Sequence, residues 1–205
     1  MDFNSILNQV LGAAKGAANN QNSAGQIGKF GGGAAAIGIL SMLLGKKGGA
    51  SLTKMGTLAA LGSLAYQAYQ NYQKAQPQTA QPLEEEAFNP ENHQESGNAV
   101  LRAMIAAAVS DGLLDEQEKQ AIFVEAGEDP ELKEWIMNEI NHPASVEVIA
   151  QQVANNSALA AQVYLAARMV CGDLSRKEIV FLAQLADALH LDESFVEQLE
   201  KEAGF

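Results

Sequence analysis

The chain has 205 residues, a net charge of −12 and one cysteine. That length suits one ordinary domain with additional segments. An apolar content of 47% excludes global disorder, and a single cysteine excludes an internal disulfide or a Cys-based zinc cluster.

The charge divides near residue 82. Residues 1–82 hold six Lys, no Arg and one acid, a net of 6 − 1 = +5. Residues 83–205 hold seven Lys/Arg and 24 acids, a net of 7 − 24 = −17. An acidic C-terminal part argues against nucleic acid as a partner, because phosphate neutralisation needs a Lys/Arg surface. A Gly/Ala-rich cationic part and an acidic, evenly patterned part are not expected to share one core. The division suggests a membrane-associated segment carrying a separate helical domain.

Residues 1–26 form the first segment. Met1-Asp2-Phe3-Asn4 lacks the cationic start of a secretory signal, and Asp2 stands where myristoylation needs glycine. Phe3, Ile6, Leu7, Val10, Leu11 and Ala14 fall at helical spacing, with Asn4, Asn8 and Lys15 elsewhere on the surface. The pattern predicts a short amphipathic helix over 3–18.

Residues 27–74 are the Gly/Ala-rich segment. Between Lys29 and Lys46 runs FGGGAAAIGILSMLLG, sixteen uncharged residues. A membrane helix needs about 20 residues, with a lower limit near 17. Extension to 27–46, with Lys29 snorkelling, reaches that range. Gly28, Gly32 and Ala36 repeat every four residues, a spacing that lets two helices pack closely in lipid and so form a homo-oligomer. A buried or interfacial hairpin and a Gly-rich linker are the alternatives. A second apolar stretch, 55–72, suits a second span or a helix lying on the membrane. Its Tyr66, Tyr69 and Tyr72 suit either the headgroup layer or an exposed stalk. With one span, Lys46, Lys47 and Lys54 outnumber Lys15 and Lys29, which places the C-terminal domain in the cytoplasm. With two spans that domain lies on the far side.

Residues 75–95 read as an extended, solvated linker with Pro77, Pro82, Pro90 and the Glu84–Glu86 run. From 96 to 205 the pattern is helical. Seven helices are predicted near 97–110, 116–126, 130–141, 146–155, 158–171, 176–189 and 193–203. Asp115, Asp129, Ser145, Ser157, Ser175 and Asp192 are the expected N-caps. The fold class is all-α, and no period-2 run of strand length occurs.

An internal repeat has an offset of 60 residues. AAAVSDGLLDEQEKQAI (106–122) matches AARMVCGDLSRKEIVFL (166–182), aligning Gly112 with Gly172, Leu114 with Leu174 and Glu118 with Glu178. Each copy reads helix, Gly, x, Leu, cap, x, x, Glu, so two similar helical hairpins are expected. The segment AAAVSDGLLDEQE resembles the signature of the TerB-like tellurite-resistance family, which is all-helical with duplicated hairpins. The whole chain, with its Gly/Ala-rich front, resembles the YebE-type inner membrane proteins. The second copy departs from the TerB-like pattern, because Cys171 stands where Asp is expected. The resemblance implies a helical domain at the bacterial inner membrane and supplies no reaction.

Asp111, Asp115 and Glu118 are the candidate metal residues. Asp115 and Glu118 also fit a capping box, whereas Asp111 closes a helix, where the dipole disfavours an anion. Three carboxylates are too few for a calcium loop. The TerB-like resemblance makes a divalent cation the one ligand worth considering, and no other cofactor is expected. Cys171 reads as a small buried residue, and Trp135 as core or groove lining. His93, His142 and His190 are scattered, the last two at helix ends. No phosphate loop, nucleophile elbow or HExxH occurs. The expectation is a non-enzymatic, membrane-anchored adaptor with the lipid bilayer and a protein as partners. The rival is a cation-responsive domain using the Asp111 turn.

Overall fold

The computed structural model describes residues 2–19, 57–75, 82–89, 96–112, 130–171 and 174–205. These hold eight α-helices and one 3₁₀ helix, and no strand occurs among them. The helices are α1 (Phe3–Asn19), α2 (Leu58–Ala75), α3 (Ser96–Val109), α4 (Pro130–Asn141), α5 (Val146–Val153), α6 (Ser157–Val170), α7 (Arg176–Ala188) and α8 (Glu193–Ala203). The 3₁₀ helix is Glu85–Phe88.

Helices α3 and α6 are the two first helices of the sequence repeat, and they form the centre. They pack together more extensively than any other pair among the described helices. Both are apolar nearly all round, which is the signature of a helix with no solvent face. In α6 every residue from Ala158 to Val170 is buried. Rows of alanine (Ala99, Ala103, Ala107 on α3; Ala160, Ala161, Ala167 on α6) leave room for the two backbones to approach.

The outer helices are amphipathic and bury one row each. Helix α4 buries Leu132, Ile136 and Ile140. Helix α8 buries Phe195, Leu199 and Ala203 at the same i, i+4, i+8 spacing. Each such side chain moved out of water stabilises the fold by about 1.5–3 kcal/mol for a large residue, and less for alanine.

Local chemistry sets the helix ends. Ser145 caps α5 by accepting from the Val148 amide, and Asp192 caps α8 by accepting from Ser194. Ser175 and Glu178 form the expected capping box of α7. Pro130 opens α4, where its missing N–H costs nothing. The cap of α6 is Asn156, not Ser157. Asn156 keeps extended backbone and its side chain accepts from the Leu159 amide, while Ser157 is already helical.

The described residues among the first 82 are not a separate body. Helix α1 buries Ile6, Leu7, Val10 and Leu11, and α2 buries Leu58, Leu61, Ala65, Ala68 and Tyr69, all in one core with α3 and α6. The amphipathic helix expected over 3–18 is present, and its apolar face is covered by protein. The stretch 55–72 is corrected in the same way. From Leu58 onward it is α2, packed on α6 and α8, with Gln67, Gln70 and Lys74 facing water. No described helix is long and apolar enough to cross a membrane. Net charge misleads here because it records the solvent faces, and these buried faces carry no charge.

Tyr66, Tyr69 and Tyr72 serve neither headgroups nor an exposed stalk. Tyr66 and Tyr69 each lie 5.5 Å, centroid to centroid, from Phe88, and Tyr72 lies 5.1 Å from Phe195. Residues 82–89 of the linker are correspondingly anchored. Phe88 is 1% exposed, Gln162 Nε2 donates to its carbonyl at 3.0 Å, and the Leu83 amide donates to Tyr69 Oη at 3.1 Å. Glu84, Glu85 and Glu86 remain exposed. The run 27–46 with Gly28, Gly32 and Ala36 lies outside the described residues. So does the helix expected at 116–126, with its cap Asp115, and so does the cap Asp129.

Candidate functional site

The C-terminal end of α3, the α4–α5 connection and α7 enclose an open groove of about 630 Å³. Ala106 and Val109 form its floor, Pro143 to Val146 one wall, and Val180 and Phe181 the other. The wall at α7 is apolar on its outer side as well. Ile179 and Val180 are each 51% exposed, and Val148 on α5 is 41% exposed. Large apolar side chains this open on neighbouring helices are the informative kind of exposure.

The groove is polar at its ends. Arg176 and Lys177 stand at the start of α7, and Glu147 stands on α5. Glu147 is solvent-exposed, and hydrogen bonds from Ser145 and from its own backbone amide hold its carboxyl below the usual carboxylate range. Lys177 Nζ donates to the Asp111 carbonyl oxygen at 2.9 Å, tying α7 to the turn that closes α3. Gly112 donates to the Val109 carbonyl in the same turn.

Asp111 is exposed on that turn. Its proposed companions Asp115 and Glu118 lie outside the described residues. The Lys177 ammonium lies at the Asp111 carbonyl, and a cation in that position opposes a divalent ion beside it. Among the described residues, no three His, Cys, Asp or Glu side chains are grouped so as to hold a metal.

Two buried polar clusters hold the helices together. Arg168 is 6% exposed and sits at the end of α6. Its Nε donates to Glu200 Oε1 at 3.1 Å, a terminal guanidinium nitrogen donates to the Cys171 carbonyl at 2.9 Å, and its guanidinium lies 3.8 Å from the Phe205 ring centroid. Tyr164 Oη donates to the same Glu200 oxygen at 2.9 Å. Burial first, and then the Glu200 carboxylate, push the Tyr164 hydroxyl well above the usual tyrosine range. The second cluster joins Arg102 of α3 to Glu139 of α4 at 2.8 Å, with Trp135 5.9 Å from the guanidinium and the Phe3 ring tilted against Trp135 at 4.9 Å. Burial raises the Glu139 carboxyl above its ordinary range, and the Arg102 charge and hydrogen bond offset this only in part.

The remaining candidates have structural places. Cys171 is fully buried and forms no disulfide. His190 ends α7 in left-handed backbone with φ 55°, and His142 follows α4. His93 lies outside the described residues. Trp135 is half-buried against the core, as expected.

Sequence spacing did not reveal Asn4 and Asn8. Asn4 Oδ1 accepts from the Gly97 amide at 2.8 Å and from Ser96 Oγ at 3.3 Å, which caps α3 from another helix. Asn8 Oδ1 accepts from the Leu58 amide at 2.8 Å, at the start of α2. The only sequence signal is a pair of asparagines four residues apart on one side of α1, a spacing that also fits a solvated face.

No curated protein matches the chain, and neither does any solved structure. Residues 29–203 match a family described as "Protein of unknown function (DUF533)". That match covers α2 to α8 and both copies of the repeat, and on it the chain belongs to the DUF533 family.

Proposed function

We propose that this protein is a non-catalytic, membrane-associated helical adaptor of the bacterial inner membrane. The apolar groove between α3, α5 and α7 receives an apolar segment of a protein partner on the cytoplasmic side. The observation that carries this reading is the pair Ile179 and Val180, each half exposed beside an open groove. The buried polar side chains described above are meanwhile engaged inside the fold, Glu139 with Arg102 and Tyr164 and Arg168 with Glu200. Groups committed in this way are poor acids, bases or nucleophiles.

Membrane association is supported by the uncharged run between Lys29 and Lys46 and by the resemblance to YebE-type inner membrane proteins. The TerB-like signature at 106–118 supports a duplicated helical hairpin as the scaffold of the groove.

Two measurements test the reading. After an alkaline carbonate wash the intact chain stays in the membrane pellet, and release would remove the membrane part. A photo-crosslinking residue at Val180 gives a discrete protein adduct in cells, and the same residue at exposed Glu197 does not. Ile179→Glu removes the adduct without lowering the melting temperature. An adduct that survives Ile179→Glu would reject the groove as the docking site.

A further inference from the structure

Both chain segments flanking residues 20–57 are fixed to the same helical body. On the α1 side, the Phe3 ring packs tilted against Trp135 of α4, Asn4 caps α3, and Leu7, Val10 and Leu11 are buried. On the α2 side, Asn71 Nδ2 donates to Glu202 Oε1 at 2.7 Å, and Tyr72 stacks on Phe195 of α8. The two flanks also touch each other, through the 2.8 Å bond from the Leu58 amide to Asn8.

Eleven residues (19 − 8) separate Asn8 from the end of α1. At 1.5 Å per residue that is about 16 Å of helix. Residues 20–57 therefore leave and rejoin the body at points on the order of 20 Å apart. The hydrocarbon of a bilayer is about 30 Å thick, and a bilayer cannot pass between two helices in direct hydrogen-bonded contact.

We propose that α1, α2 and the C-terminal helices all lie on one face of the membrane. A single crossing of the bilayer between α1 and α2 is incompatible with this arrangement. This inference rests on the membrane association proposed above. Chain length supports it. After Lys47 only ten residues (57 − 47) precede α2, fewer than the roughly 17 that a returning helical span requires. The topology with one span and α1 across the membrane would require stripping α1 from α3 and exposing Leu7, Val10 and Leu11.

The test uses the full chain in membranes, with Cys171→Ala as background because that buried thiol is the chain's one cysteine. Gln9→Cys on α1 and Lys201→Cys on α8 are each exposed. Right-side-out and inside-out vesicles are treated with a membrane-impermeant maleimide. Both cysteines are expected to label in the same vesicle orientation and to be protected in the other. A benzoylphenylalanine at Phe3 is expected to crosslink to the peptide containing Trp135 in the same membranes. Labelling from opposite orientations in carbonate-resistant protein overturns the one-face arrangement and leaves membrane association standing. So does loss of the Phe3 crosslink in that protein. Release by carbonate overturns membrane association itself, and this inference with it.

Discussion

Asn8 of α1 caps α2 by accepting a 2.8 Å hydrogen bond from the Leu58 amide. The first turn of α2 thus has two external acceptors, because Thr57 Oγ1 takes the Ala60 amide at 3.2 Å. Helix starts leave amides without intrahelical partners, and a side-chain oxygen supplied from fifty residues away satisfies one as well as a local residue does. Asn4 does the same for α3 from one turn earlier. One face of α1 therefore sets the position of two other helices.

Removing these caps destabilises the fold without changing its secondary structure. Asn8→Ala is expected to cost about 1 kcal/mol, the usual loss for an N-cap. Asn4→Ala costs more, about 1–3 kcal/mol, because the Gly97 amide that loses its Asn4 acceptor belongs to a buried residue. Asn8→Asp keeps the acceptor and places a negative charge at a helix N-terminus, so it retains stability. Denaturant unfolding of the full chain checks all three. Equal losses for Asn8→Ala and Asn8→Asp would mean that the Leu58 bond contributes nothing.

At Gly97, α1 and α3 approach closely. A Cβ there would meet Asn4 Oδ1 and would lie 2.6 Å from both the Asn4 nitrogen and the Phe3 carbonyl carbon. Backbone atoms cannot rotate away, so Gly97→Ala must move α1 off α3. Overpacking of this kind costs about 1–3 kcal/mol. Amide exchange is expected to quicken in α1 while α6 stays protected. Unchanged exchange in α1 would show that the close approach is not required.

The six described helices of the C-terminal part were legible in the sequence because their information is local. Apolar residues recur at helical spacing, and Ser145, Ser175 and Asp192 each sit at the boundary they cap. The docking of α1 and α2 was not legible. An apolar face such as Leu58, Leu61, Ala65 and Ala68 satisfies lipid and protein equally, and only a partner elsewhere in the chain decides between them. The Tyr66, Tyr69, Tyr72 row was ambiguous for the same reason until Phe88 and Phe195 were found beside it. At the groove, Val180 is an apolar residue of α7 that stays half exposed. Its exposure depends on which other elements pack against α7, and no spacing within α7 records that.

Glu139 gives the stability a dependence on pH that can be assigned. Its carboxyl titrates above the ordinary carboxylate value in the folded protein, chiefly because it is buried. Between that ordinary value, about 4.3, and the folded value, the native state keeps a proton that the unfolded chain has released. Stability from this group is therefore fully present below the unfolded value and is lost as pH rises through the folded one. Glu139→Gln removes the titration. The stability deficit of the variant relative to wild type is expected to shrink as pH rises from 4 to 7. A deficit that grows over that interval would mean that the Arg102 attraction outweighs burial.

Tyr164 has the same sign at the other end of the scale. Burial and the Glu200 carboxylate hold its hydroxyl protonated well beyond the usual tyrosine range. Above about pH 10 an unfolded tyrosine ionises, while Tyr164 in the fold does not. The native state again holds the extra proton, so stability contributed by Tyr164 falls as pH rises past that point. Tyr164→Phe abolishes the dependence and also the hydrogen bond to Glu200, which is worth about 1.5–3 kcal/mol as a bond to a charged group. The variant should therefore be less stable than wild type at pH 7, with the gap narrowing between pH 10 and 11. Denaturant midpoints measured across that interval decide the matter. Parallel wild-type and variant curves would place the alkaline loss in other groups and leave Tyr164 with a packing role alone.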